Sequence, residues 1–161
     1  MASVVRRNGL FTLHLTRALL PQMRRAKGPV LVIGIGSQAG EVPPPRLPLY
    51  VSSKRFVEYL FWGLQVDEWY YTKTNVELMY MVVGEVTSNS VRKDTTLLRP
   101  DSDTFARSMV NTMGCGQRRI TPYIWHAISM WFVQAFGENV SVPIVAEAMR
   151  NLWPEAGKKQ D

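Results

Sequence analysis

The chain has 161 residues, a formal net charge of +6 and a 46% share of hydrophobic residues. That length suits one compact domain, and the apolar content excludes wholesale disorder. A single cysteine, Cys115, excludes an internal disulfide, no run of eighteen apolar residues marks a clear transmembrane helix, and no apolar run follows the two arginines of "MASVVRRNG", so no signal peptide is read.

Residues 8 to 24 carry Leu10, Phe11, Leu15, Ala18, Leu19 and Met23 near helical spacing, and "KGP" at 27 to 29 ends that helix. "PVLVIGI" follows as a continuous β-branched run, the pattern of a strand covered on both faces. "GSQAGEVPPPRLP" is a loop by composition. Helical periodicity returns from Leu49 to Trp69, with Phe56, Val57, Leu60, Phe61 and Leu64 on one face.

"TNVELMYMVVG" is a second buried strand, and a polar loop runs from it to Pro100. "DSDTFARSMVNTMG" then reads as a helix capped by Asp or Ser and closed near Gly114. "YIWHAISMWFVQAF" is apolar on nearly all sides, and "PIVAEAMRNLW" forms a last helix before a charged tail. The order helix, strand, helix, strand, helix, helix with continuous apolar strands implies an α/β fold with a parallel sheet and crossover helices.

The basic residues fall in small groups: Arg6 with Arg7, Arg24 to Lys27, Arg118 with Arg119, and Lys158 with Lys159. Such groups are solvated surface charge rather than a nucleic-acid footprint, so no nucleic-acid partner is expected. Gly34, Gly36 and Gly40 in "GIGSQAG" approach a dinucleotide fingerprint. That fingerprint needs a helix to start at once, and "EVPPPRLP" cannot supply one. No metal site is expected, because His126 stands alone on an apolar helix without acidic or cysteine company. His14 is an ordinary helix residue, and Cys115 between two glycines reads as a turn residue.

Tyr50 and Lys54, at i and i+4, share a helix face. A nearby ammonium favours phenolate and so moves a tyrosine toward useful proton transfer. Ser37 lies thirteen residues before Tyr50, where the first strand ends. In open α/β folds ligands collect at that end of the strands.

This spacing of serine, tyrosine and lysine resembles the short-chain dehydrogenase/reductase superfamily. "LTRALLPQMRRAKGPVLVIGIGSQAGEVPPPRLPLYVSSKRFVEYL", "VVGEVTSNS", "PDSDTFARSMVNTMGCG" and "TPYIWHA" look like segments of its membrane-bound 3-oxoacyl-CoA reductases and 17β-hydroxysteroid dehydrogenases, fungal members above all. The likeness runs from Asn8 to about Trp153. It implies the C-terminal part of a Rossmann-like doubly wound parallel sheet with a helical C-terminal extension. Residues 8–100 would form the catalytic half, 101–153 a helical extension facing substrate or membrane, and 154–161 a charged tail.

By the same resemblance Tyr50 would protonate the ketone oxygen, Lys54 would tune Tyr50 and hold the nicotinamide ribose, and Ser37 would hold the carbonyl. Asn8 would support a proton-relay water. Val86 and Thr87 would lie near the carboxamide of NADPH. The implied activity is NADPH-dependent reduction of a 3-oxoacyl-CoA in very-long-chain fatty acid elongation, on the cytosolic face of the endoplasmic reticulum membrane. Implied partners are an acyl-CoA or another ketone such as a 17-ketosteroid, elongase components and a second copy of the chain.

Relatives carry a T-G-x-x-x-G-x-G loop and an N-N-A-G segment before the asparagine, whereas this chain meets the asparagine at position 8 and "MASVVRR" does not resemble the expected strand. Gly36 stands where relatives have serine. The cofactor-gripping half is therefore expected to be absent, which keeps a catalytically inactive remnant as the alternative. The segment around Trp125 and Trp131 is expected to mix cover over a substrate path with contact to a membrane interface.

Overall fold

A computed structural model describes residues 2–89 and 93–152. The charged tail expected at 154–161 and Trp153 lie outside the described residues. The chain opens in helix: α1 (Ala2–Val5) passes into a π-helical turn (Arg6–Leu10) and then into α2 (Phe11–Arg24). Helical structure thus begins before Asn8, in the segment whose sequence matched no expected element.

Strand β1 (Val30–Ile35) is followed by a single 3₁₀ turn (Gln38–Gly40) and then α3 (Pro48–Asp67), which ends in a second π-helical turn (Glu68–Thr72). Pro48 sits in the first turn of α3, where its missing N–H costs nothing. After β2 (Val76–Met81) come α4 (Ser102–Thr112), a two-residue β3 (Arg119–Ile120), α5 (Ile124–Ala135) and α6 (Glu138–Leu152).

The three strands form one parallel sheet in the order β1–β2–β3, with Val30 beside Val76 and Ile35 beside Met81. β1 is an edge of that sheet. β3 escaped the sequence reading because two residues carry no periodicity; it exists through pairing of Tyr80 with Arg119 and Met81 with Ile120.

The core lies between β2 and α3. Val76, Leu78, Tyr80 and Val82 pack with Val57, Phe61 and Leu20, flanked by Leu60, Leu64 and Met23. Phe56 belongs to the expected apolar face of α3 yet is 43% exposed. On α2 Thr16 and Leu20 are buried, whereas Phe11, Leu15 and Leu19, with Leu10 just before the helix, are exposed. The helix is apolar on two stripes, and the smaller one meets α3.

Asp101 caps α4, its carboxylate accepting from the Thr104 N–H at 2.8 Å. The last helix starts at Glu138 rather than at Pro143, which lies inside it. Pro143 is the sixth residue of that helix, in its second turn, where it forgoes the bond an N–H would make to the Asn139 carbonyl, so the proline marked a place near the start and not the start itself.

Candidate active site

The site is built where β1 and β2 end. Ile35 closes β1, and its carbonyl accepts a hydrogen bond from Lys54 Nζ at 3.0 Å. Lys54 is half-buried, and burial holds its ammonium below the usual lysine range. One turn back on α3, Tyr50 presents its ring 5.8 Å from that ammonium. The i, i+4 spacing thus places both groups together at the strand's carboxyl end. Tyr50 is partly exposed, and its hydroxyl has no hydrogen-bond partner among the described residues.

Ser37 leaves β1 in extended backbone and caps the 3₁₀ turn, its Oγ accepting from the Ala39 N–H at 3.2 Å. That single bond leaves the hydroxyl proton free to donate. Asn8 lies in the π-helical turn, a local widening often found at functional positions. Its Nδ2 donates to Ser53 Oγ at 3.2 Å, and Ser53 Oγ donates to the Tyr50 carbonyl at 2.7 Å. Asn8 therefore reaches the tyrosine turn through Ser53. The structure brings Ser37, Tyr50, Lys54 and Asn8 to one end of the sheet.

Val86 and Thr87 lie on the loop beyond β2. Val86 is half-buried. Thr87 donates its N–H to the Pro100 carbonyl at 2.9 Å and its hydroxyl to the Lys93 carbonyl at 3.1 Å. Both of its polar groups are committed within the loop in this structure.

The glycine-rich stretch holds no anion cradle. The Gly36 N–H goes to Met81 O, the Gln38 N–H to Val83 O and the Gly40 N–H to Ser37 O. Its amides serve the sheet and the turn. No group of three or more metal-ligating side chains occurs among the described residues. Cys115 is exposed.

Gly36 has a further role that spacing could not show. A Cβ there would meet the Tyr80 ring at 2.4 Å, because that ring lies across the end of β1. Tyr80 Oη donates to the Lys54 carbonyl at 2.9 Å. Burial pushes the Tyr80 hydroxyl well above the usual tyrosine range, so it stays protonated and serves as a fixed donor. Tyr80, Ser53 and Gln38 were not picked out in sequence. Tyr80 sits in an apolar strand and reads as core until the parallel register sets it beside Gly34. Ser53 could have been found from its position three residues beyond Tyr50.

The geometry defines an α/β protein with a tyrosine and a lysine poised at the carboxyl end of a parallel strand. A family model described as short chain dehydrogenase matches residues 1–97, and the chain belongs to that family. It is 26% identical to a very-long-chain 3-oxoacyl-CoA reductase of Pyricularia oryzae, across all of this chain and 50% of that protein. It is 33% identical to the rat (Rattus norvegicus) very-long-chain 3-oxoacyl-CoA reductase, over 75% of this chain and 38% of the relative. A putative steroid dehydrogenase 2 of Caenorhabditis elegans is 34% identical over 80% of this chain and 39% of its own. The chain thus spans about half the length, or less, of these relatives. A solved short-chain dehydrogenase from Streptomyces avermitilis superposes with a TM-score of 0.60 at 16% identity, covering 98% of this chain and 61% of that one, which shows the shared fold.

Proposed function

We propose that this chain carries the ketone-reducing site of an NADPH-dependent reductase acting on 3-oxoacyl-CoA to give 3-hydroxyacyl-CoA. The observation that carries the reading is the Tyr50–Lys54 pair at the end of β1, tied to Asn8 through Ser53. The relatives named as 3-oxoacyl-CoA reductases support an acyl-CoA substrate, and the relative named as a putative steroid dehydrogenase keeps a steroid ketone as the second reading.

The residues fit a nicotinamide nucleotide at its ribose end. Lys54 spends one of its three ammonium donors on Ile35, which leaves two for ribose hydroxyls. When bound, the dinucleotide supplies the hydride to the carbonyl carbon. Ser37 Oγ donates to the ketone oxygen and fixes its direction. Tyr50 Oη gives that oxygen its proton, and the adjacent ammonium of Lys54 stabilises the phenolate left behind. Asn8 holds the Tyr50 turn through Ser53 and offers its carboxamide to a water that returns the proton. Val86 and Thr87 would be the loop residues offered to the carboxamide, and Thr87 would contribute its hydroxyl only after exchanging its bond to the Lys93 carbonyl.

The setting we propose is the cytosolic face of the endoplasmic reticulum membrane, beside other elongation components and a second copy of the chain. No described helix is long and apolar enough to cross a membrane. Trp131, Phe132 and Phe136 are nevertheless 65%, 52% and 62% exposed around the end of α5, which suits contact with a lipid interface. Replacing Trp125 and Trp131 by serine lowers liposome binding on this reading, and unchanged binding counts against it.

The deciding assay follows NADPH oxidation with 3-oxoacyl-CoA and with a 17-ketosteroid, for the wild type and Tyr50→Phe. Turnover of the acyl-CoA that Tyr50→Phe abolishes is the expected result. No turnover of either ketone makes the chain an inactive member of the family.

A further inference from the structure

One buried histidine joins three segments that the catalytic residues do not otherwise connect. His126, on α5, is 1% exposed. Its Nδ1 accepts from the Gly84 N–H at 3.3 Å, and its Nε2 lies 3.2 Å from the Leu98 carbonyl. An acceptor at Nδ1 places the ring proton on Nε2, where it donates to Leu98. Phe105 and Tyr123 pack on the ring at centroid distances of 5.7 and 4.9 Å. A single side chain therefore pins the loop beyond β2 near both of its ends.

Gln38 closes the same junction from the other side. It follows Ser37 directly, and its N–H donates to Val83 O at 2.8 Å while its Nε2 donates to the His126 carbonyl at 2.7 Å. The two side chains crowd Gly84 so closely that a Cβ there would meet Gln38 Oε1 at 2.5 Å and His126 Cδ2 at 2.7 Å. Only a residue without a side chain fits between them. The histidine that reads as an isolated core residue in sequence is thus half of a built contact between the serine turn and the loop that holds Val86 and Thr87.

We propose that Gln38 and His126 form a polar latch that fixes residues 83–89 and 93–98 against the Ser37 turn, and that both are positioning residues for the reduction. The second part rests on the function proposed above; the first part does not. Neither side chain touches the reacting atoms. Their effect is to fix the separation between the group that orients the ketone and the loop that meets the nicotinamide end of the cofactor. Such placement governs rate because small displacements of a reacting pair are costly.

The test is hydrogen exchange of the whole chain by mass spectrometry, with three substitutions that separate the two ring nitrogens. His126→Phe keeps a ring but removes both bonds. His126→Asn can still accept from Gly84, and His126→Gln can still donate to Leu98. The latch predicts that His126→Phe speeds exchange at 83–87 about tenfold, while β2 at 76–81 stays within about twofold of wild type. His126→Asn then protects 83–87 better than His126→Gln does, and Gln38→Leu speeds exchange at 36–41 and 83–87 together. Exchange at 83–87 that is unchanged in the properly folded His126→Phe or Gln38→Leu chain overturns the latch. So does acceleration spread equally over β2.

NADPH titration of the same variants reads the positioning role. At least fivefold weaker binding in His126→Phe and Gln38→Leu is expected, with His126→Asn partly restored. Wild-type affinity in variants whose loop has loosened overturns the positioning role. A wild-type chain that binds no NADPH defeats the functional reading instead, and the exchange result still decides the latch.

Discussion

Helix α3 carries two polar clusters a few residues apart, and they are built to opposite rules. Tyr50 and Lys54 face the end of β1 with spare hydrogen-bonding capacity: among the described residues, a hydroxyl without a partner and an ammonium with one bond. Arg55 and Glu58, just beyond them, are fully engaged. Glu58 accepts from Arg55 at 2.7 Å and from Arg119 at 2.9 Å. Glu41 takes Arg119, Arg55 and Gln134, and Arg55 also donates to Gly40 O at 2.8 Å. That second cluster ties the turn after β1, α3, β3 and α5 into one unit. Charge alone does not separate the two clusters; the number of donors and acceptors left over does.

A third polar group follows the structural rule. Glu68 is completely buried, paired with Arg24 at 2.5 Å and with Thr74. Burial alone would raise its carboxyl, but the Arg24 and Thr74 hydrogen bonds outweigh it and hold the group below its usual range.

The contrast is sharpest in activity against stability. Tyr50→Phe is expected to lower turnover by on the order of a thousandfold while the melting temperature moves by less than about 2 °C, since only an unpartnered hydroxyl is lost. Kinetics beside calorimetry would expose the opposite pattern. Arg24→Met should do the reverse, costing about 3 kcal/mol of stability by leaving Glu68 buried and unpaired, which urea denaturation measures. If that variant were as stable as wild type, the buried pair would not be holding α2 to the end of α3.

Gly36→Ala should cost about 2 kcal/mol because the new methyl collides with the Tyr80 ring. Adding Tyr80→Ala removes the collision, so a double-mutant cycle should give a coupling of about 1 kcal/mol or more. Additive losses would mean that the two positions do not touch.

The smallest effect is on pH dependence. Burial holds His126 below the ordinary histidine range, despite the opposing pull of the Leu98 carbonyl. The unfolded chain therefore takes up a proton at about pH 6.5, before the folded chain does, and stability should decline as pH falls below that value. Glu85, paired with Lys93 and Arg99, and the ring of Tyr123 are the ionisable neighbours. Glu85 is itself held below its usual range, its ion pairs outweighing burial, so its contribution is lost only in more acid solution. His126→Gln should flatten the first decline and leave the second. A thermal-shift series that shows the same slope in both proteins would remove His126 as its source.

How much of this was legible in the sequence depends on range. Tyr50 and Lys54 are four residues apart on one helix, so local periodicity put them on a shared face, while their roles rest on the family resemblance. β1, α3 and β2 announced themselves by continuous apolar runs or a 3.6-residue repeat. The partners that fix the site were hidden because each meets it across the fold. Tyr80 reaches Gly36 through the parallel register, and Gln38 meets His126 across 88 positions. Gly36 sat in a glycine pattern that the sequence excluded as a phosphate loop, and Gly84 closed an apolar strand run; neither pattern showed that a neighbouring side chain needs the room. The apolar spacing of α2 marked the helix without saying which face is covered, and much of its apolar side points outward.

The most direct test of the central claim is a fluorescence titration of the chain with NADPH, repeated with Lys54→Met. Saturable binding that weakens at least tenfold in Lys54→Met is the predicted result. Absence of binding up to millimolar NADPH, or equal affinity in both proteins, would contradict the assignment of Tyr50 and Lys54 as the nucleotide-facing end of a reductase site.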